Sequence, residues 1–388
     1  MSFNKLKINT KVLALSSCLL LSLVINYAYA DINFNGFASI VAGQTTSSNK
    51  LLYGYDDNID FKNESLFALQ ASSDLENGLG VTAQIIARGA NDWDPKFEWA
   101  YVSYDANDNL RFLAGRQRAP FYMYSDFLDV AYAYPWITPP NGVYNLLFDS
   151  FDGLGIIYTK QLGEFDTTSH FIFGKNNTEI SALGETIKPN FQGLTGGAFT
   201  ANREWLTLRA AYFQADMTMP FQFLEPLVNA WSQVGFNDVS NNIKTFEDKA
   251  TFVELGMQID YNNYLVNAEY TKLVLDNTPF GDQKSYYVMV GKRVDNLLFH
   301  ITYGKDDDSK IDYTQNVPFG IAPTVDFLKA STQQILASQK GDEKYFTVGL
   351  RWDFHDSAAL KFEYTDFSDS LNNNNDASIL RVALVTVF

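Results

Sequence analysis

The sequence predicts an all-β fold, a transmembrane antiparallel β-barrel of about 16 strands closed on itself. Three observations carry this. After residue 31 the chain runs in segments of about ten residues in which apolar and polar side chains alternate, the period of a strand with two unlike faces. Short connections between these segments alternate strictly with long ones, a pattern expected of short turns at one membrane surface and long loops at the other. Finally, segment 378–388 places Leu380, Val382, Leu384, Thr386 and Phe388 on one face and Arg381, Ala383, Val385 and Val387 on the other. An unpaired apolar edge of that kind templates aggregation. Its natural partner is segment 32–42, where Ile32, Phe34, Ala38, Ile40 and Ala42 share one parity. First strand on last makes a barrel.

Residues 1–30 have the features of a secretory signal: Lys5, Lys7 and Lys11, an apolar run at 12–25 too short to span a bilayer, and the small-x-small site Ala28-Tyr29-Ala30. Cleavage is expected between Ala30 and Asp31. A lipoprotein box at Leu15-Ser16-Ser17-Cys18 is set aside because the apolar run continues past Cys18. Cys18 is the only cysteine, so a mature chain from 31 has neither disulfides nor Cys-ligated zinc. The formal charge of −16 argues against nucleic acid, which requires a basic face. Mean hydropathy is slightly below zero and no later stretch is apolar for the length of a spanning helix. A soluble exported β-protein and a barrel remain, and alternation favours the barrel.

The elements follow in order. Segment 65–74 turns through 75–78 into 80–88, where Val81, Ala83, Ile85 and Ala87 oppose Thr82, Gln84, Ile86 and Arg88. Segment 97–104 is expected to carry Phe97, Trp99 and Tyr101 on one face, before a turn into 110–118. Residues 119–151, broken by Pro120, Pro135, Pro139 and Pro140, form a long loop. Strands are expected at 153–160, 165–174, 194–200 and 206–214. A loop at 217–249 has helical spacing in Phe223, Leu224, Leu227, Val228 and Trp231. The turn Asn262-Asn263 joins 253–261 to 264–272, a strong hairpin signal. Strands at 285–292 and 297–304 precede an acidic loop at 305–342 with a helical piece at 325–339. Strands 345–354 and 359–367 then lead to 378–388. Residues 31–388 are read as one domain.

Tyr212, Tyr261, Tyr264, Trp352 and Phe354 sit near strand ends on the apolar parity, which suits interfacial girdles. The other parity mixes charge with Gly, Thr and Asn, which suits a wetted lumen. A barrel of this strand number is too wide for wall side chains to fill, so its interior is a channel.

The terminal Phe388 on an alternating strand resembles the assembly signal of bacterial outer-membrane barrels, and the long third loop with Gly115-Arg116 at its root resembles the constriction loop of the Gram-negative general porins. That resemblance implies that the loop folds inward to narrow the bore. It implies a constriction of Asp126 and Asp129 on the loop, Arg116 and Arg118 at its root, and Arg88, Arg209, Arg351 or Arg381 on the wall. It also implies passive diffusion of ions and small hydrophilic solutes across the outer membrane of a Gram-negative bacterium. A homotrimer follows by the same resemblance, with Gly36, Ala38 and Ala42 suited to a close interface. Outer-membrane lipid, lipopolysaccharide and the barrel-assembly machinery are its implied partners. The loop departs from the family pattern at Pro139-Pro140-Asn141-Gly142, where Pro-Glu-Phe-Gly-Gly is usual.

No enzyme is expected: His170, His300 and His355 have no Ser-Gly elbow beside them and no His-x-x-x-His spacing. No cofactor or metal is expected either. Asp306-Asp307-Asp308 with Asp312 lacks the Gly and terminal Glu of a calcium loop. Tyr122, Tyr124, Tyr132, Tyr134 and Trp136 in the long loop fit anchoring against the wall better than a sugar slide. A substrate-selective porin for sugars or anions, and an adhesion or phage-receptor barrel acting through its external loops, stand as alternatives. Net acidity predicts a preference for cations.

Overall fold

The computed structural model describes residues 31–388; the expected leader, 1–30, including Ala30 of the cleavage site, lies outside the described residues. The first half of the wall is β1 (Ile32–Thr45), β2 (Leu66–Asp74), β3 (Leu79–Arg88), β4 (Pro95–Asn107), β5 (Leu110–Arg118), β6 (Ser150–Leu162), β7 (Phe165–Asn176) and β8 (Asn190–Arg203). The second half is β9 (Leu206–Thr218), β10 (Asp248–Tyr261), β11 (Tyr264–Leu275), β12 (Asp282–Val294), β13 (Leu297–Ser309), β14 (Gly341–His355), β15 (Ala358–Asp369) and β16 (Ala377–Val387). Each strand pairs antiparallel with its neighbours in sequence, and β16 returns to β1, so the wall is a closed barrel. Closure leaves no edge in the wall.

At the seam Phe37 lies opposite Val387 and Ile40 opposite Leu384. Gly36 and Phe388 exchange both backbone hydrogen bonds, at 2.7 and 2.9 Å. Gly36 is a requirement of this closure, because a Cβ there would run into the Phe388 ring and the Ala68 carbonyl. The ring itself packs on Phe67, with centroids 5.9 Å apart. Among the short turns, Asn262 and Asn263 both take positive φ, 49° and 67°, the mirror-image turn whose twist matches that of its two strands.

The outward face is exposed and apolar along nearly every strand, as Ile40, Phe171, Phe173, Tyr212, Val290, Phe362 and Leu384 illustrate. Patches of that extent do not persist against water. Among the described residues no helix is long and apolar enough to cross a membrane, so any crossing is made by the strands. Tyr261, Tyr264, Trp352 and Phe354 stand exposed at strand ends, the girdle positions expected of them.

Several expectations change. In β4 the register shifts so that Ile85 faces Phe97 while Gln84 faces Trp99. A bulge at Glu98 therefore turns Trp99 and Tyr101 inward, opposite to Phe97, where simple alternation grouped all three. Strand β13 runs on through Asp306–Asp308, which the sequence assigned to a loop, because Ser285 and Glu343 on the neighbouring strands extend the ladder. The loop between β7 and β8 holds a small hairpin, Ile180–Ala182 on Glu185–Ile187, that alternation alone did not reveal. The loop between β9 and β10 has two helices, α1 (Glu225–Gln233) and α2 (Asn237–Ile243), where one was expected. Helix α3 (Pro323–Ser338), between β13 and β14, matches its expected place. Together these helices bury Trp231, Val239, Ile243, Val317, Val325 and Leu328 in a core of their own outside the wall. The Trp231 indole donates to Thr332 Oγ1 at 2.8 Å, which ties one loop to the other.

The seam makes a prediction. Gly36→Leu should force the Phe388 ring off its seat and lower stability by about 1–3 kcal/mol, the cost of overpacking, read as earlier loss of the heat-modifiable folded band on electrophoresis. Val290→Leu, on the exposed outward face of β12, should leave that band near wild type.

Candidate functional site

The loop at 119–149 enters the bore and is held by side chains of the wall. Its prolines forbid a continuous ladder, so its backbone groups need other partners. Inward-facing residues of many strands supply them. On the entering arm the Pro120 carbonyl accepts from Arg209 at 2.5 Å. Phe121 packs edge-on against Phe213 and Phe252, with centroids 5.0 and 5.5 Å away. The Met123 amide donates to Glu269 at 3.0 Å, and the Tyr124 hydroxyl accepts from Asn267 at 2.8 Å. Glu269 also receives the hydroxyls of Tyr287, at 2.6 Å, and Tyr144.

The loop then doubles back to β3 and β5. Asp129 is buried between Arg88, at 2.8 Å, and Arg118. Arg118 also meets Asp149 at 2.5 Å and Glu98 at 3.4 Å, and Arg88 meets Glu98 at 3.1 Å. Burial penalises the Asp129 charge, but Arg118 and then Arg88 outweigh it and hold its carboxyl below the usual range. Glu98, Asp129 and Asp149 converge within 4.8 Å of one another, and the two guanidinium groups supply the positive charge that such a trio needs.

On the far arm the Lys361 ammonium donates to three loop carbonyls, those of Ala131, Tyr134 and Trp136. Arg351 donates to the carbonyls of Tyr132, at 2.7 Å, and Tyr134, at 3.1 Å. The Trp136 indole donates to Thr302 at 2.8 Å, and the Ile137 amide to Glu363 at 2.9 Å. Arg381 spans Glu64 and Glu363, at 2.6 and 2.7 Å, and reaches Thr138 at 3.1 Å. Inward residues Val41, Ala359, Ala383 and Val385 are fully buried. The lumen is therefore not wetted all round. Its wall from β10 to β1 is largely covered by the loop, and the aromatics Tyr124, Tyr134 and Trp136 serve to anchor it.

The residues singled out in the sequence divide accordingly. Arg88, Arg118, Asp129, Arg209, Arg351 and Arg381 all contact the loop or lie on it. Asp126, expected beside Asp129, instead stands exposed, with no ion pair among the described residues; the charges acting on nearby His170 are Asp126 and Arg209. Arg116 is not brought to the loop's acids. Gly115 takes φ +132°, and Arg116 falls on the outward parity, bonded to Ser150 Oγ at 2.9 Å and 3.5 Å from Asp152. Sequence reasoning passed over Glu64, Glu98, Asp149, Glu269, Lys361 and Glu363. For Glu269, Lys361 and Glu363 the signal was present, since each is a charge on the inward parity of an otherwise clean strand.

A family model of Gram-negative porins matches residues 17–383. The chain belongs to the Gram-negative porin family. It is an outer-membrane β-barrel that serves as a channel for passive diffusion, a family and fold that in general carry no catalysis. No curated protein sequence matches the chain. Among solved structures it is similar to OmpF of Salmonella typhi, with 14% identity and TM-score 0.58, over 94% of this chain and 99% of that one. It is similar to the trimer form of OmpT, an outer-membrane protein of Vibrio cholerae, with 13% identity and TM-score 0.56, over 92% and 99%. An anion-selective porin from Comamonas acidovorans has 12% identity and TM-score 0.56, over 92% and 100%. At these identities the likeness is one of fold.

Two predictions concern the porin's loop. Lys361→Met should orphan three buried carbonyls, and at about 1–3 kcal/mol for each unsatisfied group it should lower thermal stability clearly and make single-channel current larger and noisier. Lys305→Met, which removes a solvent-screened pair with Asp342, should leave the melt near wild type. Because Asp129 has a depressed pKa when folded, its contribution is complete above the unfolded value of about 4. It is lost as pH falls through the lower folded value. Thermal melts down an acid series should fall more steeply for wild type than for Asp129→Asn, which starts less stable.

Proposed function

We propose that this porin passes small hydrophilic solutes and ions, with a preference for cations, through the part of the bore that the loop leaves open. The observation that carries the reading is the state of the charges. Inward arginines are already answered by carboxylates: Arg88 and Arg118 by Glu98 and Asp129, Arg209 by Glu254, Arg351 by Asp353, and Arg381 by Glu64 and Glu363. Asp126 is exposed with no such partner. Fixed negative charge at a narrow passage raises the local concentration of cations. The arginines offer an anion few free donors, which argues against the sign of selectivity that the Comamonas protein's description gives.

A homotrimer is part of this proposal. The trimer form of OmpT gives a precedent, and the small side of β1, with Gly36, Ala38 and Ala42, would admit a close neighbour. The outward belt would meet lipid and, at the outer rim, lipopolysaccharide. Phe388 and its strand would be read by the barrel-assembly machinery.

The reading is tested by single-channel recording under a salt gradient. Conductance in steps of three with a cation-selective reversal potential is expected, and Asp126→Asn should move that potential toward zero. An anion-selective potential would refute the charge argument. Folded, heat-modifiable protein without conductance would overturn the diffusion reading in favour of function at the external loops.

A further inference from the structure

The outer mouth of the barrel contains a cavity of about 390 Å³ that the passage of hydrophilic solutes does not require. It lies between the returning arm of the inserted loop, the inner faces of β8 to β12, and the loop that precedes β12. Its floor and sides are apolar: Phe191, Phe213, Met217, Phe221, Phe252 and Phe280 line it. Its volume is that of a pocket for a small organic molecule, and a concave apolar surface gains by exchanging water for an apolar guest. Aromatic rings and a methionine thioether suit a flat or flexible hydrocarbon body.

One edge of the cavity is different. Asp308 of β13 and Glu343 of β14 form part of its lining. Two of the nearby lysines are engaged elsewhere, Lys305 with Asp342 at 2.9 Å and Lys310 with Asp282 at 3.7 Å. Lys340 shares the rim but forms no ion pair with either carboxylate. Asp306, on the same inward parity, is nearly buried and has one carboxylate oxygen without a hydrogen-bond partner. Negative charge thus accumulates on one side of a largely apolar hole. An anion would be repelled there and a neutral guest would leave the carboxylates unanswered. We infer that the cavity is a binding site for an amphipathic organic cation, an aryl or alkyl amine whose tail fills the apolar part and whose ammonium group pairs with Asp308 and Glu343.

The test uses the full chain in lipid nanodiscs, with calorimetric titration of 4-phenylbutylamine, 4-phenylbutanol and 4-phenylbutyrate and with empty nanodiscs subtracted. The amine should bind saturably and about tenfold or more tighter than the alcohol, which corresponds to about 1.4 kcal/mol or more, and the carboxylate should bind least. The double variant Asp308→Asn with Glu343→Gln should abolish the amine's advantage and leave the alcohol unchanged. Phe280→Ser should weaken amine and alcohol alike. Should the double variant fail to fold, the wild-type protein still decides: the amine's affinity should fall with added salt and the alcohol's should not. No saturable binding, an amine no tighter than the alcohol, an advantage that survives in the double variant, or a salt-independent amine would each overturn the inference.

Discussion

A wall of sixteen strands encloses more space than its own side chains can fill, and the segment that enters that space brings a backbone whose polar groups must be paired. This obligation shapes the interior. Lys361, Arg351, Arg209, Glu269 and Glu363 are placed where they meet loop carbonyls and amides, and the inward parity of their strands is polar for that reason as much as for contact with water. Charges that resemble a lining are mostly fasteners. What is left to act on a passing ion is the small remainder that the loop does not use.

The same obligation explains why the acids and bases of the bore occur in groups. A single buried guanidinium would be costly, whereas Arg118 shared among Glu98, Asp129 and Asp149 is compensated from three sides. Each group joins elements far apart in the chain: Glu64 and Thr138 come together on Arg381, a residue of the last strand. The inserted loop is thereby tied into the closing seam, and order in one supports order in the other.

Much of the fold was legible because alternation is a local property. The hairpin at Asn262-Asn263, the girdle at Tyr261 and Trp352 and the parity of the last strand all follow from residue types at known spacing. What escaped was whatever depends on a neighbouring strand. The bulge at Glu98 is invisible without β3, and it reverses Trp99 and Tyr101. Arg116 carried the right charge beside the right glycine, yet it shares the outward parity of Phe112 and Ala114, and the unbroken ladder with β6 keeps it there. For the site, resemblance to the family drew attention to Asp129, Arg88 and Arg118, but the burial that distinguishes Asp129 from Asp126 is set by the path of the loop, which no periodicity encodes. Lys361 would have been found by asking why a strand so regular carries a lysine on its inner face.

The helices above the mouth have a further consequence. Trp231 belongs to the loop after β9 and Thr332 to the loop after β13, and each loop contributes part of one apolar core. Neither half can be exchanged alone without leaving the other with an uncovered face. External loops are ordinarily free to vary one at a time under pressure from whatever recognises the cell surface. Here two of them are bound to change together, so the diversity of this surface is that of a paired unit rather than of separate loops.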